Sequence, residues 1–290
     1  MQPEVSQNYY QIEEAFGYMA EHRRLSPSAE EIAEVVDLNE DDFRRIFTQW
    51  AGVEPETFTR KLSPQLKKKE DSGTPDLFDA ADDKRLLYEI RHFDQFLNII
   101  RIEPENYKDS GKSQVINYSV QHNPFGRMMV ASTDKGICRV SFLSEEQEGI
   151  TILENEFPEA QIRHEEISEH LILAGFFGKK GLPESKINLH VKGTPFQISV
   201  WEALLQIPEG ELSCCSEVAK EIENPKAVRA VGSAVGKNPI TFFIPYHKII
   251  PAAGDFGNYR WGIKRKIAMI GWEAVKTSKK LKSDHKGVSK

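Results

Sequence analysis

The chain has 290 residues, of which 39% are hydrophobic and 28% charged, as is typical of a globular protein of two or three domains. It has no apolar run of about 18 residues and does not open with the basic and apolar regions of a signal peptide, so we expect no membrane span and no secretion. Three cysteines give no disulfide framework, and the sequence predicts a cytoplasmic protein.

Charge is distributed unevenly along the chain. The net charge is −6, yet residues 224–290 contain fourteen Lys and Arg against three acids. A basic end on an acidic chain indicates a surface that binds a polyanion. The lysines of 276–290 are predicted to form a disordered basic tail.

The first hundred residues have helical spacing of apolar side chains. Ser26 and Pro27 are predicted to begin one helix, and 37–39 to form a short turn before a second helix that bears Phe43 and Trp50. A helix, a three-residue turn and another helix describe a helix-turn-helix unit. We therefore predict a helical domain over 8–108.

This domain resembles the AraC-type helix-turn-helix family. The motif that carries this resemblance is Gly52-x-x-Pro55-x-x-Phe58, and residues 102–107 are similar in sequence to residues 53–58. The resemblance implies a first recognition helix that begins at Glu40 and a second unit near 81–89. Carboxylates at 40–42 would be repelled by phosphates. The domain is thus expected either to read an operator or to have lost DNA contact and to pack or bind a partner.

Residues 109–114 are predicted to be a linker, and the segment after them to be a strand meander. Strands are expected at 115–120, 128–131 and 137–142, followed by a helix near 145–156. The motifs Pro124-Phe125-Gly126 and Gly136-Ile137-Cys138 occur within this segment. Through them the segment 115–185 resembles the ribonuclease-H-like half of O6-alkylguanine-DNA alkyltransferases.

Residues 186–275 carry the densest set of motifs. They include Gly193-Thr194-Pro195-Phe196-Gln197, Ile207-Pro208-x-Gly210, Asn224-Pro225-x-Ala227-x-Arg229-Ala230-Val231-Gly232, Pro245-Tyr246-His247 and Gly257-Asn258-Tyr259-Arg260-Trp261-Gly262. Their order resembles the Ada-like O6-alkylguanine-DNA alkyltransferase family. The resemblance implies an α+β multidomain protein: an all-α AraC-type domain, a small ribonuclease-H-like α/β subdomain and a C-terminal winged-helix-like alkyltransferase domain.

The resemblance also implies how such a domain would bind DNA. Two helices near 216–223 and 226–238 form a helix-turn-helix whose second helix enters the minor groove, with Ala227, Ala230 and Gly232 allowing close approach. Arg229 would fill the gap left by a flipped nucleotide. Cys215 stands where the family has a DNA-facing tyrosine. The base pocket would be formed by Tyr246, Ile249, Tyr259, Arg260 and Trp261.

One position departs from the family's active-site signature, Pro-Cys-His-Arg-Val. Tyr246 stands at the place of the acceptor cysteine, before His247. The family's relay implies Asn238, His247 and Glu273 as the groups that activate a thiolate. A phenol has an ordinary pKa of about 10 and is a poor nucleophile toward carbon. The sequence therefore predicts recognition and flipping of O6-alkylguanine without alkyl transfer, and leaves enzymatic activity open.

Two alternatives remain at this stage. The protein could be a transcription regulator of an alkylation response, or an active alkyltransferase that uses Cys215. The expected partners are double-stranded DNA, preferably alkylated, and excision-repair proteins. We expect a monomer with no cofactor, no metal site and no membrane association.

Overall fold

The computed structural model describes residues 3–22, 25–62, 96–102, 114–144, 146–177, 186–252 and 255–287. The described residues divide into two compact units. The first, here called the sheet unit, holds residues 3–6 and those between 93 and 206 and between 219 and 246. The second, the helical unit, holds those between 7 and 92, between 207 and 218, and between 247 and 290. The predicted domain 186–275 is therefore divided between the two units.

The sheet unit is built on one six-stranded sheet. Its strands are β1 (Leu97–Arg101), β2 (Val115–Asn123), β3 (Gly126–Thr133), β4 (Gly136–Leu143), β5 (Gln161–His164) and β6 (Ile187–Val191). Their order is β1-β6-β4-β3-β2-β5. The meander β2-β3-β4 is antiparallel, whereas β5 runs parallel to β2 and β1 parallel to β6. The predicted meander is confirmed.

Strand β1 corrects the prediction that helix extends to residue 108. Leu97 and Ile99 pair with Ile187 and Leu189 of β6, so this segment extends the sheet. Branched apolar residues such as the half-buried Ile99 and Ile100 suit a strand, and the helical spacing around them is too short to be diagnostic. The second helix-turn-helix unit near 81–89 and, beyond Ile102, the segment similar to residues 53–58 lie outside the described residues.

Among the described residues, the sheet unit also holds the helices α4 (Glu146–Glu156), α5 (Ser168–Gly175), α6 (Pro195–Leu205) and α8 (Val228–Gly236). Helix α7 (Cys215–Glu221) begins in the helical unit and ends in the sheet unit. The predicted helix near 145–156 and the predicted pair around Asn224-Pro225 are confirmed, with slightly shorter bounds. Thr194 and Gln197 form a capping box at the start of α6, with Pro195 in its first turn. The indole Nε1 of Trp201 in α6 donates to the Ala234 carbonyl of α8 at 2.9 Å, which joins the two helices.

The helical unit contains α2 (Ala29–Val35), α3 (Glu40–Ala51) and α9 (Ile263–Gly287). It also contains the part of α1 (Pro3–Glu21) that begins at Gln7. Residues 55–62 are also helical. Helices α2 and α3 match the predicted helix-turn-helix, but the cap of α2 is Ser28, which forms a capping box with Glu31, and not Ser26. Helix α9 continues to Gly287, so the prediction that residues 276–290 are disordered is wrong for residues 276–287.

Candidate functional site

The strongest polar cluster of the helical unit surrounds Glu273 on α9. His247 Nε2 lies 2.7 Å from Glu273 Oε1, and Lys248 Nζ lies 3.1 Å from Oε2. The backbone N–H of Gly210 donates to Oε2 at 2.9 Å. The three side chains are at most 2% exposed. Both carboxylate oxygens of Glu273 therefore have partners inside the protein.

Burial and charge fix the protonation states of this cluster. Burial alone would raise the pKa of Glu273, but Lys248 and His247 outweigh it and lower the pKa to about 2. Burial lowers the pKa of His247 despite the opposing effect of Glu273. At neutral pH the pair is thus a carboxylate and a neutral imidazole. An ionised carboxylate only accepts hydrogen bonds, so Nε2 carries the proton and Nδ1 the lone pair.

Gly210 and Lys248 hold the loop 207–210 against this cluster. Gly210 has φ +86°, and a Cβ there would lie 2.7 Å from Thr277 Oγ1, so a side chain is excluded on both counts. Lys248 Nζ also donates to the carbonyls of Ile207 at 3.2 Å and Pro208 at 3.0 Å. Sequence analysis missed Lys248. The signal was the basic position that follows His in the family signature.

A second buried lysine, Lys266, bonds to the backbone at Ile249, one of the residues predicted to form the base pocket. Lys266 Nζ donates to the carbonyls of Ile249 and Phe256, each at 2.6 Å. Burial lowers the pKa of Lys266 to about 8. Ile249 is buried, and its neighbour Ile250 donates its N–H to the Ser213 carbonyl at 2.9 Å. Lys266 thus joins the backbone at Ile249 to the backbone at Phe256.

The other residues of the helical unit that were predicted to line a base pocket are more exposed. The Tyr259 hydroxyl donates to Met269 Sδ at 3.6 Å, and the Arg260 guanidinium lies 5.1 Å from the centre of the Trp261 ring. Arg260 is exposed, whereas Tyr259 and Trp261 are half-buried. These side chains can change conformation more readily than the buried cluster around Glu273.

Cys214 and Cys215 differ in environment. Cys214 is buried and its Sγ lies 3.0 Å from Ser216 Oγ. Cys215 is half-buried at the start of α7, and burial raises its pKa in spite of an opposing effect from Lys266. A raised pKa reduces the thiolate fraction at neutral pH.

In the sheet unit, α8 divides into a buried face and an exposed face. Val231, Ala234 and Val235 are buried, whereas the exposed positions include Arg229 and the small residues Ala230, Gly232 and Ser233. Ala227 is half-buried at the start of this helix. The small residues therefore do not serve helix packing, apart from Ala234, and they leave the helix backbone accessible beside one long basic side chain.

The turn that leads to Tyr246 is held by Asn238 and by a cluster of phenylalanines. Asn238 Nδ2 donates to the carbonyls of Ile240 at 3.3 Å and Ile244 at 2.8 Å, and its Oδ1 accepts from Ile240 N at 2.9 Å. The rings are those of Phe125, Phe176, Phe177, Phe242 and Phe243, with Phe177 and Phe242 centred 4.8 Å apart. Asn238 was assigned to the relay from the sequence, and these bonds give it a role in shaping the turn.

Strand β4 anchors the same turn to the sheet. Beyond Ile137, β4 no longer pairs with β6; Val140 instead donates to the Pro239 carbonyl and accepts from Thr241 N, both at 3.0 Å. Phe242 has φ +70°, an unfavourable conformation for an aromatic residue, which the surrounding rings hold in place. Tyr246 follows, 6% exposed, and begins the 3-10 turn Tyr246–Lys248.

Comparison with known proteins identifies the family. Residues 195–275 match the model for the 6-O-methylguanine DNA methyltransferase, DNA binding domain. The methylated-DNA–protein-cysteine methyltransferase of Methanosarcina mazei is 38% identical over 156 residues, which are 54% of this chain and 96% of that protein. The chain belongs to the methylated-DNA–protein-cysteine methyltransferase family.

Other members of this family match a longer or a similar part of the chain. The bifunctional transcriptional activator/DNA repair enzyme Ada of Escherichia coli is 29% identical over 254 residues, 84% of this chain and 70% of Ada. A Mycobacterium tuberculosis OGT solved in complex with DNA is 31% identical, covers 55% of this chain and 92% of its own, and has a TM-score of 0.46.

Other expectations concern membranes and metals. None of the helices in the described part of the chain is long and apolar enough to cross a membrane. Among the same residues, no group of three or more His, Cys, Asp or Glu side chains is arranged to hold a metal ion.

Proposed function

We propose that this protein binds duplex DNA that contains O6-alkylguanine, extrudes the modified base and holds it without removing the alkyl group. The observation that carries the proposal is Tyr246. It occupies the acceptor position of the family signature, directly before a buried His247–Glu273 pair with its hydrogen bond in place. The groups that would activate a nucleophile are retained, and the thiol itself is replaced.

The exposed face of α8 supports the DNA-binding part of the proposal. Arg229 projects from a helix whose neighbouring exposed residues are small, so phosphates and base edges can approach the backbone. Extrusion of a base costs a few kcal/mol, less for a damaged pair, and an inserted arginine offsets part of that cost. We assign this role to Arg229, with Ala227, Ala230 and Gly232 along the same surface.

The chemistry of the available side chains argues against alkyl transfer. A phenol with an ordinary pKa of about 10 is ionised to roughly one part in a thousand at pH 7, and phenolate oxygen is a hard nucleophile. Cys215, the alternative acceptor, has its pKa raised by burial, which disfavours the thiolate further. Tyr246 would serve instead as an aromatic surface for the extruded base.

For the N-terminal segment we keep the AraC-type assignment and propose that it does not read an operator. Arg44 of α3 is bound by three carboxylates, Glu40 at 2.7 Å, Glu56 at 2.6 Å and Glu54 at 3.2 Å. Arg45 is bound by Asp42 at 2.8 Å. These arginines are thus neutralised within the protein, and the start of α3 stays acidic. The proposed partners are alkylated DNA and excision-repair proteins, bound by a monomer in the cytoplasm.

The test pairs a binding assay with a transfer assay. Affinity is measured by fluorescence anisotropy on matched duplexes with and without O6-methylguanine, and transfer by the loss of methyl from the DNA. We expect wild type to prefer the lesion duplex and to transfer nothing, and Tyr246→Cys to gain transfer. Arg229→Ala should lose the preference, whereas Arg163→Ala, a change of an exposed arginine on β5, should keep it.

Specific outcomes decide between the alternatives. Equal affinity of wild type for both duplexes contradicts the proposal. Methyl transfer that survives in Tyr246→Phe and disappears in Cys215→Ser would establish the enzymatic alternative. Footprints on particular promoter sequences without lesions would establish the regulatory one.

A further inference from the structure

Helix α9 is covered on all sides over its central part. Residues 266–275 are all buried, including Lys266 and Glu273. A helix buried around its whole circumference must have partners on opposite faces. Glu273 faces the His247 cluster, and Gly271 precedes it by two residues, which places it about 200° around the helix axis. Gly271 therefore lies on the face of α9 that points away from the His247 cluster.

The N-terminal helices cover that face through Phe58. A Cβ at Gly271 would lie 2.6 Å from Cε1 and 2.7 Å from Cε2 of the Phe58 ring, so the ring rests directly on the helix backbone. Phe58 is fully buried and its ring centre lies 5.3 Å from that of Phe47 and 5.8 Å from that of Phe16. The aromatic core of the N-terminal helices therefore continues onto α9 without a gap.

Polar contacts follow the same interface toward the start of α9. The Arg265 guanidinium lies 5.6 Å from the centre of the Tyr9 ring and 4.0 Å from the Glu13 carboxylate. The Tyr9 hydroxyl donates to Glu13 at 2.8 Å, and Lys264 pairs with Glu14. The charged side chains of this set are partly exposed and contribute less than the apolar contact, but they fix the rotation of α9 relative to α1.

We propose that the N-terminal helices 7–62 are a structural part of the candidate active site, in which Phe58 and Gly271 act as positioning residues for Glu273. The motif that predicted a DNA-reading domain, Gly52-x-x-Pro55-x-x-Phe58, supplies the aromatic ring that supports α9. The domain thus sets the position of the carboxylate that binds His247 and Gly210, whether or not the chain acts on DNA.

The test measures the two hydrogen bonds to Glu273 by NMR in the full chain. In wild type we expect a protected His247 Nε2–H resonance, assigned with His247→Gln, and a slowly exchanging Gly210 amide. Phe58→Leu and Gly271→Ala should each broaden the imidazole resonance and speed Gly210 exchange about tenfold or more. The double variant Gly271→Ala with Phe58→Ala should recover part of the protection, because the added methyl occupies space that the ring vacates.

The matched control is Phe43→Leu, a change in a fully buried ring of the same aromatic core that packs on Phe47 at 5.5 Å. It should lower overall stability while leaving both Glu273 bonds protected. Unchanged Gly210 exchange in Phe58→Leu and Gly271→Ala overturns the proposal. An equal acceleration in Phe43→Leu overturns it as well, since the effect would then reflect only general loss of stability.

Discussion

Replacement of Lys248 by methionine should destabilise the protein strongly at neutral pH. Lys248 is 1% exposed and lies 3.1 Å from an equally buried Glu273, so its loss leaves a carboxylate without its main counter-charge. Removal of one member of a buried pair costs about 3–5 kcal/mol. Lys248 is the largest of the influences that lower the pKa of Glu273, so its removal should raise that pKa.

The pH dependence gives the sign of this effect. The pKa of Glu273 is lowered in the folded state, so its contribution is complete above its ordinary pKa and is lost as the pH falls toward about 2. Without Lys248 the folded-state pKa rises. The penalty of Lys248→Met should therefore be about 3 kcal/mol at pH 7 and shrink on acidification, as Glu273 becomes protonated. Urea unfolding followed by circular dichroism at several pH values measures it.

A double-mutant cycle separates the ion pair from the bonds that Lys248 makes to Ile207 and Pro208. With Glu273→Gln as the second change, we expect the two penalties to be non-additive by about 2 kcal/mol. Lys264→Met is the control, because Lys264 pairs with Glu14 where both are partly exposed, and it should cost less than about 1 kcal/mol. Additive penalties, or a Lys248→Met penalty independent of pH, would refute the reasoning.

Three further predictions concern other parts of the protein. Burial lowers the pKa of His170 to about 4, and Ser119 and Ser132 hydrogen-bond its two ring nitrogens. The free energy of unfolding should therefore fall by about 2–3 kcal/mol as the pH drops from about 6.5 to 4. In urea unfolding, His170→Gln should flatten this dependence on pH, whereas substitution of the exposed His164 should not. Arg44→Ala should change DNA affinity less than twofold by anisotropy, since three carboxylates already bind its guanidinium; a loss comparable to that of Arg229→Ala would contradict this. Trp201→Phe should cost about 1 kcal/mol or more in urea unfolding through loss of the 2.9 Å bond to Ala234; unchanged stability would show that the bond contributes nothing.

Local signals allowed several elements to be predicted from the sequence. Short apolar segments separated by turn residues at 123–126 and 133–136 predicted the meander β2-β3-β4, and Asn224-Pro225 marked the boundary between α7 and α8. The family resemblance assigned His247 and Glu273 to one relay, and the structure has the two side chains 2.7 Å apart. The role of Tyr246 remains a prediction, because it depends on a reaction and not on a contact.

Contacts distant in sequence decided the rest. Leu97–Arg101 is a strand because it pairs with Ile187–Val191, about ninety residues away, and no local pattern encodes that partner. Lys248 and Lys266 look like surface residues in the sequence, yet each is buried by carbonyls or a carboxylate from another segment. The sequence by itself determined the helices α2, α3 and α4, the pair α7 and α8, and the meander β2-β3-β4. The tertiary structure alone decided which charges are buried and which helices support them, since desolvation and packing depend on neighbours that local sequence does not specify.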